Sequence, residues 1–476
     1  MTNIIENEIK PPEAAPAQKG VEGVPSEVKT FLDEYYPKGL VYKHNTFLAY
    51  ADGYWKKQQN HADVQKAITT FYGSSATSSK VKALFSLLKL TNTVNDEDFK
   101  PNTNYICFLN GCLDMTSFKL VAHNPDFHLQ SGRNVEWDED AKAPHFKQFL
   151  QDVFRDDEDR EDKIQFIIEW MGLCLIPDTN YEKFVVCVGE GGNGKSVLLK
   201  LMPELVGHDN VYNAPIQRLG NRGALAELVG KLLLTSSEIN ENTVMDDGIL
   251  KQIVSGDTVE GERKYEHPFT FTPYARIMLA TNHLPKLRDV THAFFRRLVM
   301  IKFNRNFTAE EMDMNLLGTL KTELAGIFAM IVKGLRNLQD RGNFVIPESS
   351  VLASKEYLED SDTITKFAEE SLMHAEAENK GIRPVNLYFL YSNWCTAHGI
   401  TGKEKASNIV LGKTLTKLGF RKKRSNGFDY WRVQTSTGGD EITSKRSTNV
   451  VTFIADTDTV VDVDEPLEPT EERLSA

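Results

Sequence analysis

The sequence predicts an α/β chain with a phosphate-cradling loop in its core, a small α+β domain before that core and a winged-helix domain after it. Three observations carry the prediction. Gly189 to Ser196 reads GEGGNGKS, between the apolar stretch KFVVCVG and the helix-forming run SVLLKLMPELV. Two further apolar stretches, GKLLLTSSEIN and ARIMLATN, have the length and composition of buried parallel strands. The C-terminal part alternates helical periodicity with a basic and aromatic hairpin, FRKKRSNGFDYWRV.

The loop comes first because its chemistry follows from residue type and spacing. Glycines at 189, 191, 192 and 194 allow consecutive backbone N–H groups to converge on an anion, since residues without a Cβ reach the φ values a tight loop needs. The loop opens a helix at its positive end. Lys195 can then reach the β- and γ-phosphates as a point charge, and the Ser196 hydroxyl can ligate an accompanying Mg²⁺. The whole run Gly189, Glu190, Gly191, Gly192, Asn193, Gly194, Lys195 and Ser196 is the expected binding loop for a nucleoside triphosphate, here ATP with Mg²⁺.

Composition sets the frame. The chain has 476 residues, 41% hydrophobic and 26% charged, which is ordinary globular composition with room for several domains. No run approaches the roughly 20 apolar residues of a membrane span, and MTNIIENEIKPPEAAP lacks the features of a signal peptide. Five scattered cysteines without CxxC spacing point to a reducing cytoplasm and away from a zinc site. The net charge of -12 is unevenly placed: residues 440–476 hold ten acids against Lys445, Arg446 and Arg473, whereas 401–432 hold nine Lys or Arg against Glu404 and Asp429. Binding follows local rather than net charge.

Along the chain, residues 1–28 read as a disordered leader rich in Pro, Ala and Glu. Residues 29–135 mix short strands with a helix near DVQKAITTFYG, an accessory α+β domain. The ATPase domain is expected over 136–345, beginning with acidic helices and closing on ELAGIFAMIVKGLRNLQDRG, a helix with a glycine stop. Residues 346–435 form the predicted winged-helix domain, and 436–476 an acidic disordered tail.

Further candidate residues sit at the predicted strand ends. Glu238 ends the LLLTSSE strand, 43 residues after Lys195, at the sheet edge that faces a nucleotide in an open α/β fold. It is the candidate for polarising the attacking water and for contacting Mg²⁺, through water, because Ser236 and Ser237 stand where an aspartate would otherwise bind the metal. Asn282 ends the ARIMLATN strand and can hydrogen-bond the γ-phosphate or the water. In THAFFRRLVMIKF, Arg296 or Arg297 could reach the triphosphate of a neighbouring subunit. Between the second and third strands, KQIVSGDTVEGERKYEHPFTF reads as a helix and then a β-hairpin with Arg263, Lys264 and His267 around its tip.

This order of motifs, GEGGNGKS, LLLTSSE, KQIVSGDTVEGERKYE, IMLATN and FFRRL, resembles a superfamily 3 helicase. NYICFLNGCLDM and ELAGIFAMIVKGLRNL narrow the resemblance to the primase-helicases of phages, plasmids and poxviruses. The resemblance covers roughly residues 30–433 and is strongest over 183–342. It implies an AAA+-like core, Lys195 and Ser196 as phosphate and Mg²⁺ contacts, Glu238 as catalytic acid, Asn282 as sensor, and an arginine finger at Arg296 or Arg297, the latter preferred. It also implies that Lys264 grips single-stranded DNA in the pore of a ring, as a hexamer moving 3′ to 5′. With 180 residues before the loop and no zinc cluster or paired-aspartate site evident, primase activity is expected to be absent, leaving a separate primase or polymerase as partner.

The C-terminal segment predicts DNA contact independently. Helices are expected over 361–375, 384–398 and 407–418, followed by a hairpin with an SNG turn. Lys413, Lys417, Arg421, Lys422, Lys423 and Arg424 would contact phosphates, and Phe428, Tyr430 and Trp431 fit hairpin core better than base stacking. The expected function is an ATP-dependent replicative DNA helicase of a phage, prophage or mobile element. It would act on single-stranded and forked DNA in the cytoplasm of a bacterial host, with no membrane involved. Two alternatives are an ATPase that loads or remodels another replication protein and an ATP-regulated initiator that binds an origin.

Overall fold

The computed structural model describes residues 25–58, 61–237, 239, 244–287, 292–375, 381–400 and 405–435. The predicted leader (1–28, apart from 25–28) and tail (436–476) lie outside these residues, as does Glu238. The chain divides into two compact units: residues 1–363 with 391–411, and residues 364–390 with 412–476.

The larger unit is organised around a five-stranded parallel sheet. Its strands in chain order are β1 (Phe184–Val188), β2 (Val211–Asn213), β3 (Leu233–Ser237), β4 (Arg276–Thr281) and β5 (Leu298–Lys302). In space they run β5-β1-β4-β3-β2, every neighbour parallel. The sequence of each central strand explains its position. Val185, Cys187, Met278, Ala280, Val299 and Ile301 enter one apolar cluster, while Phe184, Val186, Ile277, Leu279, Leu298 and Met300 enter another on the opposite face. Strands covered on both faces read as continuous apolar runs, because both alternating sets are buried. On the first face pack the helices Arg160–Leu173, Lys195–Val206 and Leu324–Arg341; the second face holds Asp247–Ser255 and Glu348–Ser361.

Helix ends follow local chemistry. Leu324–Arg341 stops at Gly342, whose φ of 80° is the left-handed conformation that a glycine stop supplies. The helix Pro144–Val153 has no cap from its own N-terminal residue. Instead the carboxylate of Glu323 accepts the backbone N–H groups of His145 and Phe146, at 3.1 Å each for Oε2, and the His145 Nδ1–H at 2.6 Å. Burial alone would raise the Glu323 carboxyl, but these hydrogen bonds outweigh it and hold the group below its ordinary value. A lowered carboxyl contributes stability that is present above the unfolded value of 4.5 and is lost as pH falls through the lower folded value. Glu323→Gln is therefore expected to cost about 1.5–3 kcal/mol near neutral pH, the range for hydrogen bonds to a charged group. Chemical denaturation at pH 7 and pH 4 checks this: the variant should lose less stability on acidification than the parent.

Before the sheet lie the helices Ser26–Tyr35, Ala62–Tyr72 and Ser78–Thr91, a three-stranded meander (Leu40–Lys43, Thr46–Ala51, Tyr54–Lys57) and a second three-stranded sheet (Tyr105–Phe108, Gly111–Asp114, Leu120–Val121). The smaller unit contains most of the predicted C-terminal elements. Its helix Thr363–Ser371 is shorter than the expected 361–375, because Leu372–His374 leaves the helix to pair antiparallel with Val433–Thr435. No Gly or Pro marks that switch, so periodicity runs on through it. The hairpin Lys422–Ser425 with Phe428–Trp431 turns through Asn426 and Gly427 at φ of 49° and 82°, the two positive values of a type I′ turn. No helix among the described residues is long and apolar enough to cross a membrane.

Candidate functional site

The sheet order places the glycine loop at a topological switch point. From β1 the chain crosses to the far edge at β2, returns through β3 to β4 beside β1, and then places β5 on the other side. In open α/β sheets ligands bind beyond the carboxyl ends of the strands at such a reversal. The loop Gly189–Gly194 lies there, between β1 and the helix Lys195–Val206. Gly189 N–H donates to Thr281 O at 3.3 Å, so the end of β4 is tied to the start of the loop, and exposed Asn282 comes next in the chain.

Two glycines are needed for backbone reasons. Gly192 and Gly194 have φ of 73° and 89°, and a Cβ on Gly194 would lie 2.7 Å from Val153 Cγ2. The helix Pro144–Val153, capped by Glu323, therefore packs directly against the loop. Buried Asn193 donates through Nδ2 to Phe303 O at 3.2 Å, and Phe307 N–H donates to Gly192 O at 3.0 Å. The segment following β5 thus supports the loop from its other side, a role that sequence reading did not assign to Phe303 or Phe307.

Lys195 is buried, with its ammonium donating to Gly189 O, Glu190 O and Asn193 Oδ1 at 2.5, 2.7 and 2.9 Å. Burial holds its pKa below the usual lysine value. The N–H groups of Glu190, Gly191, Gly192 and Asn193 take no acceptor among the described residues. Unpartnered backbone donors beside a buried ammonium, at a helix N-terminus, can hold an anion such as a phosphate group. Ser196 is exposed at the first turn of the helix, where a hydroxyl can reach a cation. Glu238 lies outside the described residues; its chain neighbour Ser237 pairs with Ala280, two positions before Asn282. Ser237 and Thr281, the last residues of β3 and β4, are thus at the ends of adjacent strands.

The two arginines are at the opposite end of the sheet. They precede β5, whose first residue Leu298 pairs with Phe184, the first residue of β1, and Phe184 N–H donates to Arg297 O at 2.9 Å. Five strand residues separate this end from the loop, roughly 16 Å at 3.3 Å per residue. Arg297 is buried and fully engaged: Nη2 meets Glu182 Oε2 and Ser255 Oγ at 2.8 Å each, Nε donates to Ser255 Oγ at 3.1 Å, and Nη1 donates to Ala293 O at 2.8 Å. Arg296 has a 65% exposed side chain and touches Glu182 Oε2 at 3.2 Å.

The hairpin between β3 and β4 forms as its turn signals predict. Helix Asp247–Ser255 leads into Val259–Gly261, which pairs antiparallel with Phe269–Phe271. At its tip the three basic candidates differ. Arg263 is partly buried, donating to His44 O at 2.7 Å with its guanidinium 5.2 Å from the Phe269 ring centroid, so it fixes the hairpin against the first meander. Lys264 and His267 are exposed. Tyr265 is 91% exposed, and the Lys264 ammonium lies 4.8 Å from its ring centroid. Sequence reading passed over Tyr265; the signal available was an aromatic directly after a tip lysine, a pairing suited to stacking on a base while gripping its phosphate.

In the smaller unit Lys413, Lys417, Arg421, Lys422, Lys423 and Arg424 are all exposed. Trp431 is buried as hairpin core, with the Lys422 ammonium 4.7 Å from its ring centroid. Phe428 is exposed, with the Arg383 guanidinium 4.0 Å from its ring centroid.

Against known proteins, residues 29–155 match a family model described as D5 N terminal like, and residues 187–297 match a family of unknown function, DUF5906. A helicase-named protein of Acanthamoeba polyphaga mimivirus is 25% identical over 332 residues, covering 63% of this chain and 34% of the relative. A helicase-named protein of Invertebrate iridescent virus 3 is 22% identical over 343 residues, covering 63% and 36%. The chain thus spans about a third of the length of these curated relatives. Among solved structures, the apo C-terminal region of NrS-1 aligns with a TM-score of 0.48 at 10% identity, covering 87% of this chain and 100% of that one. On the D5-type match and the viral relatives, the chain is similar to primase-helicase-type proteins of phages and viruses.

Proposed function

We propose that this chain is an ATP-dependent replicative DNA helicase of a phage, prophage or mobile element, working as a ring of identical subunits, in the expected reading a hexamer. The observation that carries the proposal is the loop Gly189–Ser196 at the switch point of the parallel sheet, with buried Lys195 among unpartnered N–H donors and Asn282 at the neighbouring strand end. The viral relatives with helicase names support the choice of reaction.

In this reading Lys195 would hold β- and γ-phosphate oxygens, the loop N–H groups would orient the same chain of phosphates, and Ser196 would hold Mg²⁺. ATP with Mg²⁺ would supply the phosphoanhydride whose hydrolysis drives movement. Glu238 is proposed to orient the water, and Asn282 to report the γ-phosphate without adding negative charge. The arginine pair cannot serve its own loop from the far end of the sheet, which supports action on a neighbouring subunit. Between the two, the exposed Arg296 suits that role, while Arg297 is committed to Glu182, Ser255 and Ala293. This reverses the preference that the sequence alone suggested.

Lys264 is proposed to grip the DNA backbone, with Tyr265 stacking beside it and Arg263 fixing the hairpin. The order helix, strand, helix, helix and hairpin over 363–435 supports a winged helix whose basic arm contacts phosphates. Movement 3′ to 5′ and a separate primase or polymerase partner remain parts of the same proposal. Steady-state ATP hydrolysis in Mg²⁺ tests the subunit arrangement when variants are mixed. Arg296→Ala is expected to be inactive alone and to recover part of its activity when mixed with Lys195→Ala, because one would supply the intact loop and the other the intact finger. Arg297→Ala should lose folded stability first. Recovery with Arg297→Ala and none with Arg296→Ala would reverse the assignment.

A further inference from the structure

We propose that Cys107, Cys112 and His123 form a zinc-binding site in the second three-stranded sheet, apart from the nucleotide loop and independent of the ATP reading. Their candidate donor atoms all lie within 4.8 Å of one another. Two thiolates on a tetrahedral zinc, each about 2.3 Å from the metal, lie about 3.8 Å apart, so this set needs a contraction of at most about 1 Å.

The local fold creates the cluster. Strands Tyr105–Phe108 and Gly111–Asp114 are joined by a two-residue turn, and Cys107 and Cys112 are directly opposite in their ladder. Opposed residues in an antiparallel pair put their side chains on the same face. The third strand pairs Val121 with Cys112, and His123 follows two positions later. Its ring lies over Gly53, where a Cβ would come within 2.2 Å of Cδ2, so the absence of that carbon makes room for the imidazole.

The imidazole is also oriented as a ligand would be. Nε2 lies 2.7 Å from Phe108 O, a contact in which the nitrogen donates and which leaves Nδ1 with a free lone pair. Metal-binding histidines are commonly fixed by such a bond from the second ring nitrogen to a carbonyl. Both thiols are buried, and Leu129 with Tyr54, Tyr105, Val121 and Phe127 surrounds them with apolar atoms. Two thiolates and a neutral imidazole on Zn²⁺ carry no net charge, which suits such surroundings.

Electrostatics supports the same chemistry. Buried Arg133 donates to the carbonyls of Gly132, Val206 and Leu175 and lowers the cost of negative charge on Cys107. With three protein donors, water completes the four-coordinate shell. The spacing Cys-x4-Cys-x10-His matches no CxxC pattern, and for that reason the sequence pointed away from zinc.

The test uses the 476-residue chain, purified under reducing conditions, stripped with a chelator and titrated with Zn²⁺ or Co²⁺ alone. The expected result is one equivalent bound, a thiolate-to-Co²⁺ charge-transfer band, and a melting temperature raised by Zn²⁺. Cys112→Ser and His123→Ala should each weaken zinc binding by more than about tenfold, whereas Lys195→Ala should leave it unchanged. The cobalt band of the parent protein decides the matter even if a cysteine variant fails to fold. No uptake and no band, equal zinc retention by both variants, or a Cys107–Cys112 disulfide in the reduced preparation would each overturn the proposal.

Discussion

Lys195→Ala is expected to lower ATP hydrolysis by about 10²- to 10³-fold or more, the loss typical of removing one preorganised donor to a developing charge. The ammonium contacts three acceptors, all within the loop. Its removal therefore takes away the charge aimed at the phosphates and also loosens the carbonyls of Gly189 and Glu190. The fold should persist, because the β1 strand and the following helix are buried by apolar residues on both faces of the sheet. A melting curve close to that of the parent, together with lost hydrolysis and weakened binding of a fluorescent ATP analogue, is the expected pair of results. Unchanged hydrolysis would remove the loop from the mechanism.

Lys264→Ala should separate hydrolysis from work on DNA. The side chain is exposed at the hairpin tip, with its ammonium 4.8 Å from the Tyr265 ring centroid. Stability and DNA-free ATP hydrolysis should stay within about twofold of the parent, since surface substitutions usually change stability by under about 0.5 kcal/mol. Strand separation should fall to background. If six subunits each lose one phosphate contact, the dependence of log K on log salt for single-stranded DNA should become shallower by about 4. Full unwinding by this variant would favour the reading in which the chain loads or remodels another replication protein.

Much of the backbone shape of the glycine loop was legible because its information is local. GEGGNGKS carries its own backbone requirements, and Gly192 and Gly194 adopt the left-handed φ values that those glycines imply. The hairpin turns were legible for the same reason: Asn426-Gly427 specifies a turn geometry by itself. What depended on long-range pairing was not legible. The position of β1 between β4 and β5 comes from crossovers, and the parallel pairing of β5 with β1 puts the arginines at the far end of the sheet from the loop. Nothing in FFRRL says which arginine will be buried against Glu182 and Ser255. Arg263 looked like a DNA contact by its charge, while its guanidinium is turned toward His44 and Phe269. The helix expected to reach 375 gives way to the strand Leu372–His374 because a partner 59 residues later, Val433, is there to pair with His374. Cys107, Cys112 and His123 are separated in sequence and meet only through ladder register.

The most direct test of the central claim is strand separation on matched DNA substrates with a 3′ tail, a 5′ tail or a fork, in ATP and Mg²⁺, with Lys195→Ala as control. The account predicts ATP-dependent unwinding of the 3′-tailed and forked substrates, abolished by Lys195→Ala. ATP hydrolysis without strand separation on any of the three substrates would contradict it.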